Sequence, residues 1–305
     1  MSTYLSRTFS GANTSRKIFT ISFWLKRTTF GSMKAVISAE TTSNFYDQIT
    51  FASSDQFDVN NVASGSDVIS FKTNMKFRDP SAWYHIVTAI DTTQASSSDG
   101  VKIYVNGILQ TSFGSTTYAQ DATFEIGRDG STTSIGRRQR DQDGYGVGYL
   151  SEFYYIDGQQ KAATDFGQTD STTGIWKPKT YSGTYGNNGF KLEFKNSGAL
   201  GTDTSGNSET FTVNNAGTNA QVVDTPTNNF ATMNPIDVGT NLSQTTFSEG
   251  DLKIVSSGTT TDTGDQVVSS MGFTKGKWYW EIKGVSSPDN MFWAVFTDVL
   301  GGERP

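Results

Sequence analysis

Apolar and polar residues alternate along much of this chain with the period of two that a half-buried β-strand requires. From Lys17 to Arg27 the alternation puts Phe19, Ile21, Phe23 and Leu25 on one face, with Trp24 opposite, either under a second layer or exposed. Trp83 to Asp91 is apolar on both faces, the pattern of a central strand buried between layers. Between Val101 and Phe113, Asn106-Gly107 separates two β-rich runs and supplies the positive φ angles of a two-residue type I′ hairpin. Further strands are expected at Tyr149 to Ile156, Phe190 to Phe194 and Thr210 to Val213. Only Gln159 to Phe166 reads as helix, for about two turns. The fold class is all-β.

Residues 214 to 229 are polar, rich in Gly, Asn and Thr, and contain Pro226, which reads as a linker or long surface loop. Strand patterns resume at Asp251 to Val255, Lys277 to Val285 and Met291 to Phe296. This divides the chain into a domain over residues 1–215, a linker over 216–230 and a smaller β unit over 231–305. That last unit is small for a stable sandwich and stops just after an apolar strand, which points to a longer polypeptide.

Composition narrows the functions open to such a fold. The 21 Phe, 12 Tyr and 6 Trp suit pleated, half-buried strands, and 31 Gly suit their turns. A net charge of −6 argues against nucleic-acid binding, which needs a basic face to displace counterions. There is no cysteine, hence neither disulfide nor thiolate metal site. No run has the length of a signal peptide or a bilayer span, so membrane insertion is not expected.

Catalytic constellations are sparse. The single histidine, His85, lies within a strand expected to be buried, where a hydrogen-bonded core role outweighs that of a general base. A glycosidase needs two facing carboxylates, whereas Glu125, Glu152, Glu193 and Glu281 stand singly on strands and Asp141 and Asp143 fall in a polar loop. Catalytic residues are therefore not expected. Arg137, Arg138 and Arg140 form the one concentrated basic feature, able to grip an anionic glycan or an acidic neighbour, or simply to be offset by Asp141 and Asp143. Trp176, Tyr181 and Tyr185, in a segment without strand pattern, are the aromatic candidates for ligand contact, with packing of that loop onto the sandwich as the competing reading.

The stretch from Tyr4 to about Asp170 resembles a laminin-G-like or concanavalin A-like lectin domain. Its motifs are Tyr4-Leu5-Ser6-Arg7-Thr8-Phe9 with the run Phe19 to Lys26, then Trp83 to Val87 with Lys102 to Gly107, and Gly148 to Phe153 with Ile156-Asp157-Gly158. The runs Gly174 to Lys179 and Tyr185 to Phe190 resemble a variant common in tailed phages, where it occurs in virion structural and tail-fibre-like proteins. Asp203 to Asn207 resembles a motif that usually precedes the first strand of such domains. Its place here fits a circularly permuted sandwich whose edge strands come from residues 189–213. Glu249 to Leu252 and Gly276 to Ile282 resemble the start of a SPRY domain.

The resemblance implies an antiparallel jelly-roll β-sandwich and a bacteriophage virion surface protein, whether tail fibre, spike or head appendage. Such a protein would adhere to host glycans or attach to other virion proteins. A purely structural capsid-decoration or tail subunit and, behind it, a polysaccharide hydrolase or lyase are the alternatives. It further implies rim loops of the kind that hold calcium, with Asp47, Asp129, Asp141 and Asp143 as the ligand candidates. Appendages of this type are commonly homo-oligomers, often trimers, made in the host cytoplasm and carried on the virion.

Overall fold

The alternation between Lys17 and Arg27 becomes a nine-residue strand whose Phe19, Ile21, Phe23 and Leu25 are fully buried between two stacked sheets. The computed structural model describes residues 3–217, 220–238, 245–256, 267–273 and 275–285. Its strands, in chain order, are β1 (Tyr4–Thr8), β2 (Ile18–Lys26), β3 (Lys34–Thr42), β4 (Phe45–Phe51), β5 (Gln56–Ala63), β6 (Ser66–Lys76), β7 (Trp83–Asp91) and β8 (Val101–Val105). Then come β9 (Ile108–Leu109), β10 (Phe113–Tyr118), β11 (Thr132–Ile135), β12 (Tyr149–Asp157), β13 (Gly167–Thr169), β14 (Trp176–Pro178), β15 (Phe190–Leu192) and β16 (Thr212–Asn214). One sheet has eight strands in the order β10-β6-β5-β4-β3-β11-β1-β16, and the other six in the order β15-β12-β2-β7-β8-β9. Every pairing is antiparallel, and the chain is a jelly-roll β-sandwich.

The core lies between the sheets. Leu5, Ile37, Ile49, Val59, Ile69 and Ile135 from the large sheet meet Phe19, Phe23, Ile86, Ile103, Phe153 and Phe190 from the small one. Burying side chains of this kind contributes roughly 1.5–3 kcal/mol each. Asn106 and Gly107 both take positive φ (48° and 83°) and join β8 to β9, as the dipeptide requires. Residues 190–192 and 212–214 supply one edge strand to each sheet. The Asp203 carboxylate ties the first of these down, accepting the Lys191, Ser205 and Glu209 amides.

The helix expected over Gln159 to Phe166 is reduced to a single 3-10 turn, Ala163–Asp165. Ala163 and Phe166 are drawn onto the outer face of the small sheet, where they join Val87, Tyr154, Ile156 and Tyr181 in a second buried cluster. The polar stretch expected as a linker or long surface loop is a loop anchored to the small sheet. Lys26 Nζ, at the end of β2, donates to Asp224 Oδ2 (2.8 Å), Asn229 Oδ1 (2.9 Å) and the Phe230 carbonyl.

Two compact units divide at Met271/Gly272. The first also contains β17 (Met233–Val238), β18 (Thr245–Ser248), β19 (Lys253–Ser256) and β20 (Val267–Ser269), paired as β17–β20 and β18–β19. In the second, Phe273 and Trp278 stack at 5.4 Å and Trp278 Nε1 donates to the Lys275 carbonyl. The strand expected at Lys277 to Val285 has no partner among the described residues, and without a ladder its backbone is irregular. The strand expected at Met291 to Phe296 lies outside the described residues.

Candidate functional site

The two outer faces of the sandwich differ in kind. That of the six-stranded sheet is closed by residues 159–187 and 220–230. Trp176 Nε1 donates to His85 Nδ1 (2.9 Å), and His85 stacks on Trp24 at 4.8 Å while its Nε2 pairs with Ser22 Oγ. Sealed there, His85 is held neutral, its pKa pushed down to about 3 by burial. The ligand candidates Trp176, Tyr181 and Tyr185 lie on this face and are engaged in packing. Tyr181 is buried against Phe166, and Tyr185 meets Tyr181 edge-on. The structure thus places them on the face opposite the arginine run and packs them onto the small sheet.

The outer face of the eight-stranded sheet is polar and partly open. One transverse row crosses every strand in register: Thr212, Ser6, Ser134, Ser38, Gln48, Asn60, Ser70 and Thr117. Their strand neighbours Leu5, Ile135, Ile37, Ile49, Val59 and Ile69 point into the core, so alternation sends this row outward. The neighbouring row holds Glu40 and Tyr46, register partners on β3 and β4.

Residues 136–146 lie across the middle of this face. Gly136, at φ 80°, turns the chain out of β11, and the loop then docks through Ser38 Oγ donating to the Arg137 carbonyl (2.9 Å) and accepting the Gln139 amide (2.6 Å). The loop buries Ser38 and Ser134 and leaves the row open on either side, at Gln48, Ser70 and Thr117, with Asn60 buried among them, and at Ser6 and Thr212.

Arg137 and Arg140 mark the two sides. Arg137 sits with Cζ 4.0 Å from the centre of the Tyr4 ring, and Tyr145 packs against Tyr4 at 5.8 Å. Arg140 lies over Tyr46 at 4.5 Å and donates to its hydroxyl at 2.6 Å. Arg138 instead turns back into its own loop, reaching Asp141 at 2.6 Å and Asp143 through two bonds of 2.8 and 2.9 Å. On the open strip, Gln48 donates to Asn60 and Asn60 to Asp67 (3.0 Å). The face therefore offers amides, hydroxyls and two arginine–tyrosine pairs, a set suited to hydroxyl-rich or anionic ligands.

The four candidate calcium ligands are dispersed. Asp47 is buried on the core side of β4, taking the Asn61 side chain (2.5 Å) and the Glu125 and Ile126 amides, with its pKa raised to about 7 by burial. Asp129 is exposed, and Asp141 and Asp143 are engaged by Arg138. No group of three His, Asp or Glu side chains that could hold a metal exists among the described residues. Two of the strand acids do meet: Glu152 and Glu193 both face Lys191 Nζ, and Lys191 together with Lys195 holds the Glu193 carboxyl below its usual range. That is an ion-pair network. Glu125 likewise serves as a clamp, gripping Arg16, Arg128 and Thr41.

Sequence comparison gives this geometry a family context. Residues 3–154 match the family model Laminin_G_3, the concanavalin A-like lectin/glucanases superfamily. Solved structures with similar folds include a Bacteroides ovatus protein assigned to carbohydrate binding (17% identity, 70% of this chain and 56% of that one, TM-score 0.42). Others are the CBM40 of a Ruminococcus gnavus sialidase (12%, 52% and 95%, 0.38) and the NanB sialidase of Streptococcus pneumoniae (16%, 54% and 26%, 0.37). No curated protein matches the chain.

Proposed function

We propose that this protein, whose residues 3–154 carry the concanavalin A-like lectin/glucanase fold, binds glycan on the outer face of its eight-stranded sheet without turning it over. The observation that carries the reading is the register-aligned row of Ser, Thr, Asn and Gln across all eight strands, open on both sides of the arginine loop. Sugar hydroxyls are matched by such paired donors and acceptors, and Tyr46 adds a half-buried ring beside them. The other outer face is filled by the chain's own segments.

Within this reading the protein acts on the surface of a tailed-phage virion, as a tail fibre, spike or head appendage. The resemblance of the runs Gly174 to Lys179 and Tyr185 to Phe190 to tail-fibre-like proteins supports that placement.

A glycan array with the full chain and with Gln48→Ala and Tyr46→Ala is the test. Binding that falls at least tenfold in both variants while the melting temperature holds is the expected result. Binding unchanged in both places the site elsewhere, and no binding to any glycan leaves the purely structural role. Release of reducing ends from a bound polysaccharide overturns the non-enzymatic part. Mass spectrometry and immunogold labelling of purified particles test the virion assignment, which fails if the protein is absent from them.

A further inference from the structure

The arginine loop carries an imbalance that the fold itself does not resolve. Residues 136–146 hold three arginines and two aspartates, and Arg138 engages both aspartates. Arg137 is only 7% exposed, yet no carboxylate lies within ion-pair distance of it among the described residues. Its Nη2 bonds neutral oxygens alone, Gln139 Oε1 (2.6 Å) and Ser134 Oγ (3.5 Å), and its Nε is buried without a partner. A guanidinium in that position ordinarily has an anionic partner, because burying an unpaired charge is costly. Arg140 is 40% exposed, and the one carboxylate it meets among the described residues is Asp141, at 3.9 Å. In a chain of net charge −6, this loop is a local reversal of sign placed on the polar face.

We infer that the ligand of this face is an acidic oligosaccharide whose separate anionic groups pair with Arg137 and Arg140. The inference rests on the glycan-binding reading above and names its ligand class. Tyr4 on β1 and Tyr46 on β4, which carry the two guanidinium groups, are three strand spacings apart across the sheet and, since Tyr46 aligns with Thr8 through Glu40 and Thr132, four residues apart along it, roughly 19 Å in all. One carboxylate cannot span that distance, whereas acidic groups on different sugars of one chain can. Arginine also suits the task through its planar pair of donors, which meets a carboxylate or sulfate in two bonds. Of the other charges on these strands, Asp58 pairs with Lys72 (3.5 Å) and Asp67 accepts from Asn60, while Glu40 opposes an anion near Tyr46.

The experiment is titration calorimetry of the full chain with hexasaccharides of polygalacturonate, alginate and hyaluronan, each beside its uncharged carboxyl-reduced form. At least one acidic form is expected to bind ten times more tightly than its neutral counterpart. Arg140→Gln should cost it about tenfold, the loss of one charge-assisted pair. Glu40→Gln should strengthen binding, and raising salt should weaken it. Because Arg137 is buried, Arg137→Met is read only if its melting temperature stays near the parent's, and Arg140→Gln carries the test otherwise. Neutral and acidic forms bound equally would overturn the inference and leave the glycan reading intact. Acid preference untouched by Arg140→Gln would also overturn it, by placing the anions elsewhere. If neither these probes nor the glycan array gives binding, both readings fail.

Discussion

Lys26 offers the sharpest perturbation of the fold. Its side chain is completely buried and that of Asp224 nearly so, and the two meet at 2.8 Å. The second Asp224 oxygen accepts the Trp83 indole N–H, also at 2.8 Å. Asp224→Ala removes the counter-charge and that acceptor together. If residues 220–230 stay docked, an ammonium is left buried without its ion-pair partner, with Asp251 acting on it only through space, which costs about 3–5 kcal/mol. If they let go, water reaches Lys26 and the cost is capped at the docking free energy of the segment. The smaller loss wins, so both must be measured. A loss near 3 kcal/mol lowers the melting temperature of a sandwich this size by roughly 6–12 °C. Release instead produces new proteinase K cleavage within 220–230, with a smaller melting shift. Adding Lys26→Met to Asp224→Ala should recover most of the loss by either route, because the unpaired ammonium is then gone. A variant melting within about 2 °C of the parent, with no new cleavage, refutes the reasoning.

Three further outcomes follow from the structure. Gly107→Ala places a Cβ at φ 83° and 2.8 Å from the Trp176 ring; the strain of about 1–2 kcal/mol should appear as a lower melting temperature and red-shifted tryptophan emission. Trp176→Phe keeps the stack on His85 but leaves Nδ1 without its donor, and should cost about 1–3 kcal/mol in chemical denaturation. Asp47 is raised from 3.8 to about 7, so protons bind the folded state more tightly; its contribution is full below pH 4 and is lost as pH rises to about 7. Asp47→Asn, permanently neutral, should therefore lose less stability than the parent between pH 5 and pH 8, and parallel melting curves would contradict that.

The elements that rest on local chemistry are the ones legible in the sequence. Asn106-Gly107 needs no tertiary information to form its turn, and the apolar alternation of β2 marks a core face in any sandwich. What covers the other face of β2 and β7 is not local. Trp24 and His85 signal a second layer, yet nothing near them names the cover, which comes from Trp176, Phe166 and Tyr181 far along the chain. The helix pattern at Gln159 to Phe166 fails for the same reason, since burying Ala163 and Phe166 on the sheet outweighs a propensity of a few tenths of a kcal/mol per residue. Composition likewise does not show how the loop at 220–230 is held, because one buried ion pair and an indole hydrogen bond tie down a stretch that is otherwise polar.

The site shows the same division at finer scale. Arg137, Arg138 and Arg140 are visible in the sequence as a cluster, but their roles depend on which of them the two aspartates reach. The loop turn that gives both to Arg138 leaves Arg137 and Arg140 over tyrosines from β1 and β4. The polar row is still less visible, because each of its members is one unremarkable residue on its own strand. Only the register, set by the apolar inner positions, aligns them across the sheet. Core packing thus positions the outward row. A one-residue slip of β4 against β3 and β5 would turn Gln48 inward and expose Ile49, so the core that stabilises the sandwich also specifies where its polar face presents hydrogen bonds.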